Sequence, residues 1–96
     1  MSLGVRYGGE LVGEAVLFDF DYHGSAMAAI RLDAEHQGRG IGSSALSALI
    51  EAARKIGLKA LRAEIMEENI PSIRMTEKQM DFISVDSGIR RYKKAL

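Results

Sequence analysis

The chain has no cysteine and a single proline, Pro71. The first absence excludes disulfides, thiolate metal sites and a cysteine nucleophile, and it accords with a cytoplasmic location, which is the expectation. Charge of one sign is also lacking: 13 basic and 13 acidic residues cancel. No global field is left to draw in nucleic acid or an anionic membrane, and neither is expected as a partner. No apolar run approaches the roughly 20 residues of a membrane span, and the N-terminus has no signal-peptide pattern. Only two histidines occur, His23 and His36; they are too few for a histidine-rich metal site, both are expected at the surface, and no metal is expected. What remains is ordinary: 96 residues, 47% apolar and 27% charged, enough for one domain over 1–96 that buries a core without staples.

Alternation marks the strands. Leu3 to Tyr7 is followed by Gly8-Gly9, a hairpin signal. Glu10 to Phe20 carries Val12, Val16, Phe18 and Phe20 on one expected face, with Gly13 marking a bulge or a close approach. Asp21-Tyr22-His23-Gly24 reads as a turn, and Ser25 to Leu32 turns Ala26, Ala28, Ile30 and Leu32 one way. Ser43 to Ile56 reads as a helix with Ala45, Leu46, Leu49, Ile50 and Ala53 as its buried stripe, Arg54 and Lys55 in the last turn and Gly57 after it. Leu58 to Met66 is strand-like, and Pro71 suits the first turn of a second helix capped near Asn69, with Ile73, Thr76, Glu77 and Met80 along one side. Ile83 to Val85 and Ile89 to Ala95 close the chain around Asp86-Ser87-Gly88. The order β-β-β-α-β-α-β-β predicts an α+β fold, a mixed and mainly antiparallel sheet with two helices. Met66, Met75 and Met80 are expected in the core. Arg90, Arg91, Lys93 and Lys94 are read as charges that guard an edge strand.

The most informative segment is Gln37-Gly38-Arg39-Gly40-Ile41-Gly42. Alternate glycines bare backbone N–H groups, and the helix that follows has no carboxylate before Glu51 to neutralise its positive end. This is a place for an external anion, most simply a phosphate. A Walker loop would need Gly-Lys-Ser/Thr, but Gly42 is followed by Ser43-Ser44. A dinucleotide fingerprint would need a third glycine where Ser43 stands, and an antiparallel meander is the wrong context for it.

The run from Ala29 to Gly42 resembles the acetyl-CoA-binding core of the GNAT family of N-acetyltransferases, whose signature is Arg or Gln, two residues, Gly, one residue, then Gly or Ala; Gln37, Gly40 and Gly42 match it. Asn69-Ile70-Pro71-Ser72-Ile73 is similar to the family's second motif, where an asparagine opens the second helix. The resemblance implies acetyl-CoA as cosubstrate. Its pyrophosphate would lie on the backbone of Gly38, Arg39, Gly40, Ile41, Gly42 and Ser43 beside Gln37. Its pantetheine arm would lie along Ile30, Arg31 and Leu32, with Asn69 and Ser72 as further contacts. A primary amine, on a small molecule or a peptide, would attack the thioester directly while a backbone N–H near Leu32 faces the oxyanion.

The chain departs from the family pattern in its proton-transfer residues. Thr76 stands where many members carry a tyrosine acid, Asp81-Phe82 replaces the usual Gly-Phe, and Ala34 replaces a common proline. No carboxylate lies between Met27 and Ile30, where some members place a base; Glu14, on the preceding strand, is the candidate substitute. The order of elements also starts after the strand and helices with which full members begin. The expectation is thus a GNAT fold lacking that N-terminal portion: an excised C-terminal domain with a missing segment, a minimal enzyme, or a protomer whose acceptor wall is completed by a second copy. The alternative is a non-catalytic CoA-binding or regulatory domain, a fragment of a larger protein.

Overall fold

In the computed structural model, which describes residues 1–96, alternating apolar stretches form β1 (Ser2–Tyr7), β2 (Glu10–Phe18) and β3 (Ser25–Leu32). A short 3-10 turn (Ala34–His36) leads to α1 (Ile41–Lys55), followed by β4 (Ala60–Met66), α2 (Ile70–Glu77), β5 (Asp81–Asp86) and β6 (Ile89–Ala95). The six strands form one sheet in the order β1-β2-β3-β4-β6-β5. Every neighbouring pair is antiparallel except β3 and β4. α1 provides the crossover that this parallel pair requires. No helix is long and apolar enough to cross a membrane.

Both helices begin two or fewer residues earlier than the sequence suggests, and β5 takes in Asp81 and Phe82. The predicted stripe of α1 is buried throughout: Ala45, Leu46, Leu49, Ile50 and Ala53. It rests on Ala15, Leu17, Ala26, Ala28, Leu61 and Ala63 of the sheet. Four of those six are alanines, so the Leu and Ile side chains of the helix come close to the strand backbones. Each large side chain buried here is worth about 2 kcal/mol.

On β2 the expected face is overturned. Ala15 and Leu17 are buried, whereas Val16 is half-buried and Phe18 exposed; Phe20 is exposed and lies beyond the strand. The cause is a bulge. β1 pairs Val5 with Gly13 and Arg6 with Leu11, so Val12 is an extra residue and the side-chain phase flips across it. Val12 therefore shares the helix face with Ala15 and Leu17. Gly13 is the close approach the sequence signalled: a Cβ there would drive into the carbonyl oxygen of Arg31 on β3.

Three further expectations are corrected. β6 is an interior strand between β4 and β5, and its arginines are paired, Arg90 with Glu77 at 3.0 Å and Arg91 with Glu64 at 3.0 Å. Only Met80 of the three methionines is core; Met75 is half-buried and Met66 exposed at the far end of β4. His36 is buried, 9% exposed, with its ring edge-on to Tyr7 at 6.1 Å, because the 3-10 turn folds it back under β1.

β3 and β4 pair only over Ser25–Ala60, Ala26–Leu61 and Met27–Arg62, and then diverge. Side chains lock this joint. Ser25 Oγ donates to Asp21 at 2.6 Å and accepts from Arg62 Nε at 2.9 Å, while Arg62 also donates to the Asp19 carbonyl. Asp21 further accepts from the backbone N–H groups of Ser25 and His23. The Ser25 hydroxyl, then the Ser25 N–H, hold its carboxyl well down, at about 2, with His23 and Arg62 adding to the effect.

Two outcomes follow from these contacts. A carboxyl with a depressed folded pKa stabilises above its unfolded value, near 4, and that contribution drains away as pH falls toward about 2. Urea unfolding across that window should show a shallower slope in Asp21→Asn than in the parent, the remainder belonging to carboxylates such as Glu77 that are also held down. Gly13→Ala should destabilise by about 2 kcal/mol or more, read from chemical denaturation, because backbone blocks the added methyl.

Candidate functional site

The site grows out of the divergence. The Asp33 N–H donates to the Val12 carbonyl, so odd-numbered residues at this end of β3 direct their backbone groups at β2. The alternation turns the N–H and C=O of Ile30 and Leu32 the other way, into the gap beside β4. Gln37 Nε2 donates to the Leu32 carbonyl at 3.3 Å and ties the following loop to that strand end.

Gly38 and Gly40 then adopt φ of +77° and +80°. No neighbour lies within 4 Å of a Cβ built at either position, so the left-handed backbone rather than space is what asks for glycine. Gly40 is the N-cap of α1 and offers no side-chain cap, and the first helical bond to it comes from the Ser44 N–H. The backbone N–H groups of Gly38 through Ser43 find no acceptor in the protein. They open on a groove whose volume is about 490 Å³.

α2 forms the opposite wall. Asn69 caps it by accepting from the Ser72 N–H at 3.3 Å. Pro71, Arg74, Met75 and Lys78 face the groove at helical spacing. Arg74 and Lys78 make no ion pair, so two exposed cations stand free beside the bare N–H groups. Gly42 is bare for a packing reason: the Met75 sulfur would lie 2.7 Å from a Cβ there. Gln79 fastens the walls together, donating to the Ser43 carbonyl at 2.9 Å and accepting from Ser47 Oγ at 2.8 Å. Farther along, the Tyr92 hydroxyl donates to Glu77 at 2.7 Å and accepts from Arg90 at 2.9 Å. Burial pushes the Tyr92 hydroxyl up, and the bond from Tyr92, then that from Arg90, holds Glu77 down. This network anchors the end of α2 to β6 and does not reach the groove.

Of the residues singled out from sequence, Ile30, Leu32, Gln37, Gly38, Gly40, Gly42, Ser43, Asn69 and Ser72 line the groove together. Three others do not. Arg31 points to the opposite face of the sheet, as strand alternation requires; Ile41 is buried; and the exposed Arg39 side chain leaves the lining. Arg39 and Ile41 nevertheless contribute N–H groups to the bare run. Glu14 is also on the far face, 3.0 Å from Arg31. Thr76 is 2% exposed and belongs to the core, not to the groove. Arg74 and Lys78 escaped the sequence reading and Met75 was expected in the core, although their spacing from Pro71 is the signal that finds all three. Asp33, Glu35 and His36 bring donor atoms within 4.8 Å of one another outside the groove.

A split mixed sheet with a bare-backbone loop leading into its crossover helix places the chain among α+β proteins with an unpaired strand edge in mid-sheet. The family model described as "Acetyltransferase (GNAT) family" matches residues 1–82, and the chain belongs to that family. The fold is shared with solved acetyltransferases. The yncA protein of Salmonella typhimurium, solved with its cofactor acetyl-CoA, is 24% identical with a TM-score of 0.87, over 99% of this chain and 64% of that one. Ribosomal-protein-alanine N-acetyltransferase from Brucella melitensis is 24% identical with a TM-score of 0.85, over 99% and 68%. The microcin C7 self-immunity acetyltransferase MccE, in complex with acetyl-CoA and AMP, is 19% identical with a TM-score of 0.84, over 100% and 61%. The chain thus spans under two thirds of the length of the first and third of these. Among curated proteins, a sequence search finds no match.

The Gln79 bridge carries a testable load. Gln79→Leu removes the Gln79 amide donor from the Ser43 carbonyl, leaving it only Ser47 Oγ at 3.1 Å among side chains, and should cost about 1 kcal/mol in urea unfolding.

Proposed function

We propose that residues 1–96 bind acetyl-CoA and transfer its acetyl group to a primary amine by direct attack. One observation carries this reading: the bare N–H run of Gly38 to Ser43 and the unpaired strand edge at Ile30 and Leu32 open into one continuous groove. The first part suits a pyrophosphate, with the helix N-terminus and the free Arg74 and Lys78 adding positive potential. The second suits an amide-bearing arm that pairs with a strand edge. The inward N–H of Ile30 or Leu32 is then available to the carbonyl oxygen as it gains negative charge. The acetyl-CoA complexes of yncA and MccE, on the same fold, support the reading.

A second reading is a CoA-binding domain without catalysis. Thr76, where a tyrosine acid would stand, is packed into the core, and no carboxylate, imidazole or phenol lines the groove.

Calorimetry with acetyl-CoA tests both readings, and thiol release with a panel of amines separates them. Saturable binding with thiol release supports the enzyme; binding alone supports the second reading; no heat at millimolar ligand ends both. Two variants test the placement. Gly40→Glu sets a negative side chain among the bare N–H groups and should abolish acetyl-CoA binding. Gly40→Asn, which tolerates the left-handed backbone without charge, should keep the fold and part of the affinity. Equal affinity in a folded Gly40→Glu protein would refute the placement.

A further inference from the structure

His36 carries the one buried side-chain nitrogen or oxygen in the molecule that has no hydrogen-bond partner. The residue is 9% exposed, and its Nδ1 is shut off from solvent with nothing bonded to it. A bare polar atom in the interior costs folding free energy, so its persistence asks for a reason.

The nitrogen faces acid. Glu35 Oε1 stands 3.9 Å away, too far for a hydrogen bond, and donor atoms of Asp33, Glu35 and His36 all lie within 4.8 Å of one another. The local fold gathers them. The His36 N–H donates to the Asp33 carbonyl at 2.9 Å and closes a single 3-10 turn, whose pitch sets residues three apart on one side. Tyr7 of β1, edge-on to the imidazole, fixes the ring. Neither carboxylate is otherwise engaged. Asp33 occupies the N-cap position of the turn but makes no side-chain cap bond, which is the usual use of aspartate there. Glu35 is exposed, and no lysine or arginine forms an ion pair with either acid.

Two free carboxylates beside a buried, unpaired imidazole nitrogen make a mixed oxygen and nitrogen donor set. Calcium and magnesium ask for all-oxygen shells, whereas this set suits a first-row transition ion such as Zn²⁺. An ion centred among three atoms so spaced lies within about 3 Å of each, against bonds of roughly 2.1 Å. Closure needs only a rotation of two exposed side chains, and water completes the shell from the open side.

We propose that Asp33, Glu35 and His36 bind one divalent transition-metal ion, zinc in preference to magnesium or calcium, with His36 Nδ1 as the nitrogen ligand. The place of the ion in the fold makes its role structural. The turn it closes joins the end of β3 at Leu32 to Gln37 and the glycine run, so the ion fixes the path by which the chain leaves the strand. None of the three residues lines the groove, and the proposal stands apart from the acetyl-transfer reading. One histidine and two acids between Asp33 and His36 read as solvated in the sequence; burial of the ring beneath β1 is what sets its nitrogen against the acids.

Calorimetry on chelator-treated protein, with zinc chloride and then with magnesium and calcium chloride, reads the site directly. We expect one zinc ion per chain and no saturation by the other two at the same concentrations. In nitrogen NMR spectra zinc should move the His36 Nδ1 resonance and leave those of the exposed His23 in place. A hundredfold excess of zinc over its Kd should raise the melting temperature by about 10 °C or more. Asp33→Asn and Glu35→Gln should each weaken zinc about tenfold or more. Both variants change exposed side chains and keep the buried ring, so the test does not hinge on the folding of a His36 variant. No saturable zinc binding, unchanged affinity in both variants, equal affinity for magnesium, or zinc held by His23 in place of His36 would each overturn the proposal.

Discussion

Everything functional in this molecule depends on how little of β3 touches β4. Three residues on each strand hold the two halves of the sheet in register, and beyond Met27 and Arg62 the strands part. A joint so short needs reinforcement. Lys59 and Ala60 both donate backbone bonds to the Gly24 carbonyl, and Ser25 sits between Asp21 and Arg62. The turn residues before β3 therefore do more than reverse the chain. They clamp the apex of a wedge whose open end is the groove.

The crossover helix gives the wedge its second property. α1 buries its apolar stripe on an alanine-lined sheet face, which fixes the helix close to the strands. Its first turn then emerges at the open end of the wedge, beside the strand edge of Ile30 and Leu32. Because the loop into it runs through two left-handed glycines, the backbone donors there are bare and already oriented. Their ordering cost falls on folding, while their desolvation waits for whatever displaces the water from them. α2 supplies side chains to the opposite wall, and Gln79 keeps that wall attached to the first turn of α1.

Much of this was legible in the sequence because it depends on local rules. The α1 stripe, the Gly8-Gly9 hairpin, the Asn69 cap and the glycine run each follow from short-range periodicity or backbone freedom, and each stands where it was expected. The two motifs, separated by a helix and a strand, carried the family. What stayed hidden depends on partners distant in the chain. The bulge at Val12 is visible only in the pairing of β2 with β1, and it reversed the face of Val16 and Phe18. His36 reads as a loop residue until β1 brings Tyr7 over it. The arginines of β6 read as edge guards until β5 turns back to cover that strand. Arg74 and Lys78 drew no reading from the sequence, because only the wedge places a groove in front of them.

The wedge also changes how many edges the sheet has. An open six-stranded sheet has two free edges, here β1 and β5; this one has four, because Ala28 to Leu32 and Ala63 to Met66 present a second pair facing inward. Exposed edges invite strand addition and aggregation. These two converge at the apex, so an ordinary strand cannot hold regular spacing to both. Only a slender chain carrying a few well-separated hydrogen-bonding groups fits between them. The same convergence makes a regular strand, from another polypeptide or from a second copy of this chain, a poor match to both inner edges at once.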